Sequence, residues 1–367
     1  MGPRTSPAAL AAAIGLVLTI TGCTGSGGDS ARPGIKVGVI ASDPAASTRW
    51  EEVDQPLLED AMRAEGLEPD VQNSQGDATK FAAIADGMIK DGVKVLVIAA
   101  PNNEVGSAVA GKSTARHIPT IDYDRLNLGD SSDYYVSFDP VKAGDLQGRG
   151  LALGIRGARA RGANIIEIDG PRTDPTTPLL AQGARNVLQP RYDTGAYRLV
   201  ASEPVDNDNN QRAGAVFEQL LNANGDQVDG VLAANDRIAG AVIAVLRKKG
   251  LNGKVRVTGL GATPEALKAI LRGDQFMTAF TPIDQQATAA AKLAGALARN
   301  DRAAADRMVS MTLPDSIGHR KIRAVLVPPV FITLDTVKEV IDSGMVDSRD
   351  ICDGELALRC DQLNIPR

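Results

Sequence analysis

Aromatic residues make up 3% of the 367-residue chain, and Trp50 is the sole tryptophan. Any stacking of a ligand on an indole has that one position to use. The histidines are His117 and His319 alone, and there are three cysteines. No zinc pattern and no Cys–His dyad can be assembled from so few. Positive charge is not in excess, since 40 Lys and Arg stand against 45 Asp and Glu for a net charge of -5. That balance excludes a general nucleic-acid binder and strong electrostatic capture of a polyanion. No apolar run reaches the roughly 20 residues of a membrane-spanning helix. A G-x-S-x-G elbow and a P-loop lysine motif are both missing, and Gly259-Leu260-Gly261-Ala262 does not complete a dinucleotide fingerprint. Carboxylates are plentiful, but no spacing isolates an acid–base pair. The expectation is no enzyme activity, no cofactor and no bound metal.

What is present describes a globular chain. Hydrophobic residues reach 43% and charged residues 23%, and the length suits two domains of ordinary size. At the start, Arg4 precedes a mostly apolar segment over 8–20 that ends in Ile20-Thr21-Gly22-Cys23. A positive start, a short apolar stretch and small residues before a cleavage point read as an export signal over 1–22. Cys after Thr-Gly resembles a bacterial lipobox, with Cys23 acylated, as by palmitate, and first in the mature chain. The other reading is a buried core segment that happens to end in Cys. Residues 23–34, rich in Gly and Ser, then form a flexible tether. Two acyl chains would hold the protein at the membrane, and one would not. Cys352 and Cys360 form a close pair near the C-terminus. In an exported protein such a pair is expected as a disulfide, and a two-ligand metal site is the alternative, with no His nearby.

Between these ends, strand and helix patterns alternate. Strand-like runs fall at 35–40, 69–72, 93–98, 118–121, 163–168, 197–201, 230–233, 255–257 and 276–279. Helical patterns fall at 51–65, 80–90, 105–116, 141–155, 179–188, 211–222, 238–248 and 264–272. Such alternation gives βαβ units and parallel sheets. One sheet does not comfortably hold this many strands, so the expected class is α/β with two doubly wound lobes. In such sheets ligands bind beyond the carboxyl ends of the strands, which directs attention to the loops there.

The first such loop carries Thr48-Arg49-Trp50. An indole face packs on the C–H face of a sugar ring and a guanidinium donates to hydroxyls; the alternative is a Trp packing the following helix beside a solvated Arg49. The third carries Asp122-Tyr123-Asp124-Arg125. The Asp124–Arg125 pair offers both acceptors and donors to a polyol, or is a charged turn facing water. Asn235-Asp236 precedes a helix, where capping and ligand binding can fall to one residue each. Two more polar loops run over 169–177 and 206–210. The second lacks the EF-hand register for calcium and reads as turn plus cap.

Together these residues resemble the type I periplasmic sugar-binding proteins, and most closely the D-xylose-binding group. The landmarks are Arg49-Trp50-Glu51, Tyr123-Asp124-Arg125, Tyr135-Val136-Ser137-Phe138-Asp139 and Ala234-Asn235-Asp236. In the tail, Pro328-Pro329-Val330, Asp342-Ser343-Gly344 and the Cys352/Cys360 pair look like actinobacterial members. The resemblance implies two lobes joined by a three-crossing hinge, with crossings near Asp139, Pro282 and Val327, that close over a sugar. The implied lobes are 35–138 plus 283–327 and 139–282 plus 328–350, followed by a disulfide-bearing tail over 351–367. The implied ligand-binding set is Arg49, Trp50, Asp124, Arg125, Asp174, Thr176, Asp208 and Asn235. Four positions depart from the family: Thr176 replaces an Asn, Asp208 an aromatic, Gly261 an Asp and Thr281 a Lys. At about 1.5–3 kcal/mol per charge-assisted bond, these losses leave the ligand as a small, xylose-like sugar or polyol of no fixed identity. The implied partners are that ligand, the permease of an ABC importer and the membrane through a lipid anchor. No nucleic acid is expected, the chain is expected to be a monomer, and the alternative role is a sensor that signals to a membrane receptor.

Overall fold

The structure is a computed structural model that describes residues 2, 34–42, 49–129, 132–156, 161–172, 174, 176–205 and 210–366. Cys23 and Asp208 lie outside the described residues. From Ile35 to Arg367 the chain forms one unit by its contacts.

The first sheet is built from β1 (Ile35–Ala41), β2 (Leu67–Asn73), β3 (Val95–Ile98), β4 (Thr120–Tyr123) and β5 (Tyr134–Phe138), with β11 (Met311–Asp315) and β12 (Arg320–Val327) added from late in the chain. Its order is β11-β12-β5-β4-β3-β1-β2, parallel except for β11. Alternation along the strands sorts the core. Val37, Val39, Val95 and Val97 pack on one face against helices α1 (Gln55–Ala64) and α9 (Ile283–Ala298). Ile40, Leu96 and Ile98 pack on the other against α2 (Ala78–Lys90) and α3 (Asn103–Thr114). Strands covered on both faces need apolar residues in both registers, which is why β3 reads as the unbroken run Val95-Leu96-Val97-Ile98.

The second lobe repeats the plan. Strands β6 (Ala163–Asp169), β7 (Tyr197–Pro204), β8 (Gly230–Ala233) and β9 (Arg256–Val257) form a parallel sheet of order β7-β6-β8-β9. Ile166, Ile168, Val231 and Ala233 face α6 (Asn210–Ala223) and α7 (Asp236–Lys248). Ile165 and Leu232 face α4 (Pro140–Gly154) and α5 (Thr177–Asp193). Helices α4 and α5 meet at two glycines: a Cβ on Gly144 would lie 1.9 Å from the Leu180 carbonyl oxygen, and one on Gly183 would lie 1.9 Å from that of Val141. Strand β10 (Thr278–Phe280) meets the segment after β9 at a single bridge from Leu260 to Ala279 and pairs antiparallel with β13 (Val330–Ile332) as a separate two-stranded sheet.

The chain thus passes between the sheets three times, from β5 into α4, from β10 into α9 and from β12 into β13. The first and third passages run side by side, since the Asp139 N–H donates to the Val327 carbonyl at 3.0 Å. Asp139 also caps α4 by accepting from the Lys142 N–H at 2.9 Å.

Three parts of the structure differ from the sequence pattern. No strand is expected over 134–138, where the structure has β5. The alternation gives no elements between 283 and 350, where the structure has α9, α10 (Arg302–Arg307), β11, β12, β13 and α11 (Val337–Asp342). Helix α9 is alanine-rich, so its buried face contrasts only weakly in hydrophobicity with the exposed stripe of Gln285, Thr288 and Lys292. Strand β11 carries Pro314, tolerated at a sheet edge. The segment after 350 is also more than a tail. Helices α12 (Ser348–Ile351) and α13 (Ala357–Gln362) bring Ile351, Cys352, Leu356, Cys360 and Ile365 into one apolar cluster with Leu267, Ile270 and Leu271 of α8 (Pro264–Arg272). Within it Cys352 and Cys360 are joined by a disulfide.

Candidate functional site

The carboxyl ends of β1 and β4 hold one connected polar set. Arg49 stands just before a wide helical turn, Trp50–Asp54, in which the Gln55 N–H donates to the Trp50 carbonyl five residues back. Turns of this width often mark functional sites. Here the spacing sets Arg49 beside Asp54. Arg49 Nε donates to Asp54 Oδ2 at 2.9 Å and Nη2 to Oδ1 at 3.3 Å, and Nη2 also reaches Asp124 Oδ1 at 3.3 Å. The Arg49 side chain remains 41% exposed, whereas Asp54 is 2% exposed. Asp54 accepts a further bond from Tyr123 Oη at 2.9 Å. Burial pushes the Asp54 carboxyl above its ordinary pKa, and Arg49 pulls it back.

Asp124 has a left-handed backbone, with φ of 65°, a conformation Asp adopts more readily than most residues. Neighbours hold it there. Its N–H donates to the Val136 carbonyl at 2.9 Å, and its own carbonyl accepts from Tyr135 Oη at 3.1 Å and Ser137 Oγ at 3.3 Å. Its carboxylate is 30% exposed. Arg125 Nη1 donates to Ser42 Oγ at 3.1 Å and to the Ala100 carbonyl at 3.5 Å, which joins the loops after β1, β3 and β4. Ser42 Oγ in turn donates to the Ala99 carbonyl at 2.7 Å.

Trp50 takes the packing position. It is 3% exposed within the apolar cluster between the first sheet, α1 and α9. Its ring meets Tyr123 edge-on, with centroids 6.5 Å apart and planes at 74°. Its Nε1 has no hydrogen-bond partner among the described residues.

The second lobe presents its candidates at the carboxyl ends of β6 and β8. Asp174 Oδ1 accepts from the Thr176 N–H at 2.8 Å and Thr176 Oγ1 at 2.7 Å, so the two form one turn leading into α5. Asn235 caps α7 by accepting from the Ile238 N–H at 3.0 Å. Its neighbour Asp236 is buried and accepts from the Thr263 N–H, Gln275 Nε2 and Thr278 Oγ1 at 3.0, 3.0 and 2.8 Å, which ties β8, β9 and β10 together. Gly261 has φ of 128° and carries no side chain to offer. The two lobes approach each other here. After burial itself, the charges of Asp124 and then Asp174 raise the pKa of Tyr135, and Leu179 of α5 packs against the first-lobe cluster of Tyr135, Leu313, Ile322 and Ala324.

The structure therefore joins Arg49, Asp124 and Arg125 in one cluster and sets Asp174, Thr176 and Asn235 on the strand ends of the other lobe. The ligand-binding set expected from sequence left out Asp54, Ser42, Tyr123, Tyr135 and Ser137, which hold that cluster. Tyr123, Tyr135 and Ser137 left a signal as landmarks of the family resemblance, whereas Asp54 and Ser42 left none. The cluster offers guanidinium donors beside carboxylate acceptors, the mixture that a polyhydroxy molecule can satisfy.

Comparison with known proteins agrees with this architecture. Residues 37–302 match the family model described as periplasmic binding protein domain. The D-xylose-binding periplasmic proteins of Haemophilus influenzae and of Escherichia coli are each 30% identical over 307 residues, covering 84% of this chain and 89% of theirs. A solved ABC transporter solute-binding protein from Clostridium phytofermentans with bound β-D-glucose is 25% identical, with a TM-score of 0.71 over 86% of this chain and 99% of its own. With its two doubly wound lobes, three crossings and strand-end cluster, the chain belongs to the periplasmic binding protein domain family.

Proposed function

We propose that this protein captures a small, xylose-like sugar or polyol outside the cytoplasm and delivers it to the permease of an ABC importer. One observation carries the reading. Arg49, Asp124 and Arg125 stand as donors and acceptors at the strand ends of the first lobe, and Asp174, Thr176 and Asn235 stand at the strand ends of the second. The relatives support it: they are binding proteins and not enzymes, and two are named for D-xylose. In this reading Asp208 joins the second-lobe contacts. Trp50 stands behind Arg49 and reports occupancy from the packing layer, without stacking on the ligand.

The lobes are taken as 35–138 plus 283–327 and 139–282 plus 328–350, turning about the three crossings. A ligand bridging them favours the closed form by as much as it binds that form better. Export by residues 1–22 and acylation of Cys23 would hold the protein, as a monomer, at the membrane face. No helix among the described residues is long and apolar enough to cross a membrane.

The test is a titration of pentoses, hexoses and polyols followed by the fluorescence of Trp50, with calorimetry alongside. One sugar or polyol is expected to give a saturable change. Asp124→Ala and Arg125→Ala are each expected to weaken it more than tenfold while the melting temperature is kept within a few degrees. Silence across the panel by both methods would reject a sugar ligand.

A further inference from the structure

We propose that Asp54 is the positioning residue of this site: it fixes the Arg49 guanidinium for the ligand without touching the ligand itself. The inference rests on the reading of the cleft as a sugar site. Asp54 is 2% exposed and sits beneath the cleft surface, whereas Arg49 is 41% exposed at it. Both Asp54 oxygens face the same guanidinium, at 2.9 Å from Nε and 3.3 Å from Nη2. A two-point grip of this kind sets the plane of a guanidinium as well as its place. The Asp54 carboxylate is itself held, by Tyr123 Oη at 2.9 Å, and Tyr123 is fully packed in the core. Orientation therefore passes from the buried tyrosine through Asp54 to Arg49, and Arg49 meets Asp124 at 3.3 Å.

An arginine has many rotamers, and freezing it at the moment of binding subtracts from affinity. Asp54 removes that loss beforehand. The wide turn Trp50–Asp54 is the local device, because it sets residues five apart beside each other.

Two measurements test this on the full chain. The first needs no ligand: nitrogen-15 NMR of the arginine side chains, with the Arg49 Nε–H assigned by its loss in Arg49→Lys. That proton is expected to be protected from water in the native protein and to exchange at least tenfold faster in Asp54→Asn. The second titrates D-xylose and D-glucose by calorimetry. Asp54→Asn is expected to weaken binding tenfold or more when Arg49 is present and less than threefold in an Arg49→Ala background, as coupled residues behave. Tyr123→Phe, which leaves the Arg49–Asp54 contact in place, is expected to cost less than Asp54→Asn and serves if the latter does not fold. An unprotected Arg49 Nε–H, an unchanged affinity in Asp54→Asn, or an equal loss with and without Arg49 would each overturn the proposal. If the native protein binds neither sugar, the site's reading for those sugars fails, and the Nε–H measurement alone decides whether Asp54 positions Arg49.

Discussion

Asp122 shows how the strand-end loop is held from below. It lies at the end of β4, two residues before Asp124, and is wholly buried. It accepts from Ser132 Oγ at 2.6 Å, Asn127 Nδ2 at 2.8 Å and the Asn127 N–H at 2.9 Å. Burial outweighs these bonds and pushes its pKa from 3.8 up to about 7. The folded protein thus holds a proton that the unfolded chain has released, between 3.8 and about 7. More protons on the folded state mean that this group's contribution to stability falls as pH rises through that window. Urea denaturation between pH 4 and 8 should show that decline, and Asp122→Asn should flatten it. An identical pH slope in the variant would place the titration elsewhere. The sequence announced Asp124 and Arg125 by their place after a strand. It could not announce Asp122 or Asp54, because a carboxylate looks the same in sequence whether it faces water or a buried tyrosine.

Among the elements, the α4–α5 pair is the tightest contact described, and it decides where the second-lobe loops lie. Helix α5 begins directly after the Asp174–Thr176 turn, and α4 begins at the first crossing. Gly144 and Gly183 let the two backbones meet, with no room for a methyl group on either. Gly144→Ala would force the helices apart, and overpacking of this kind costs about 1–3 kcal/mol, sometimes more. The expected result is a lower melting temperature, with weaker ligand binding as the Asp174–Thr176 turn moves. A variant with unchanged melting would mean that the helices separate at no cost. Several elements were legible from the pattern, including β1, β3, β6, β8 and α7, whose apolar residues match the period. Helix α9 was not, since its buried face is built largely of alanine, whose weak hydrophobicity blurs the period.

For the molecule as a whole, the two lobes are joined by three passages of the chain. The third passage includes Pro328 and Pro329, whose rings fix φ and limit bending there. A ligand that touches both lobes should draw them together, so X-ray scattering is expected to give a smaller radius of gyration with saturating ligand than without. Equal radii would show that capture proceeds without closure. The packing of Leu179 against the cluster of Tyr135, Leu313, Ile322 and Ala324 indicates that the lobes already meet there.

Taken by itself, the sequence determined the fold class, because strand and helix periods are local and parallel sheets demand continuous apolar strands. It also marked the loops where ligand groups would be sought, since strand ends follow from the strands. Only the tertiary structure decided what each polar residue does there. Trp50 proved to be a core residue beside Tyr123, Asp174 and Thr176 were found bonded to each other, and Asp54 emerged as the support of Arg49. Two of these roles depend on residues far along the chain, since Trp50 packs on Tyr123 and Asp54 is held by Tyr123 from 69 positions away, and no local period or spacing encodes contacts of that range.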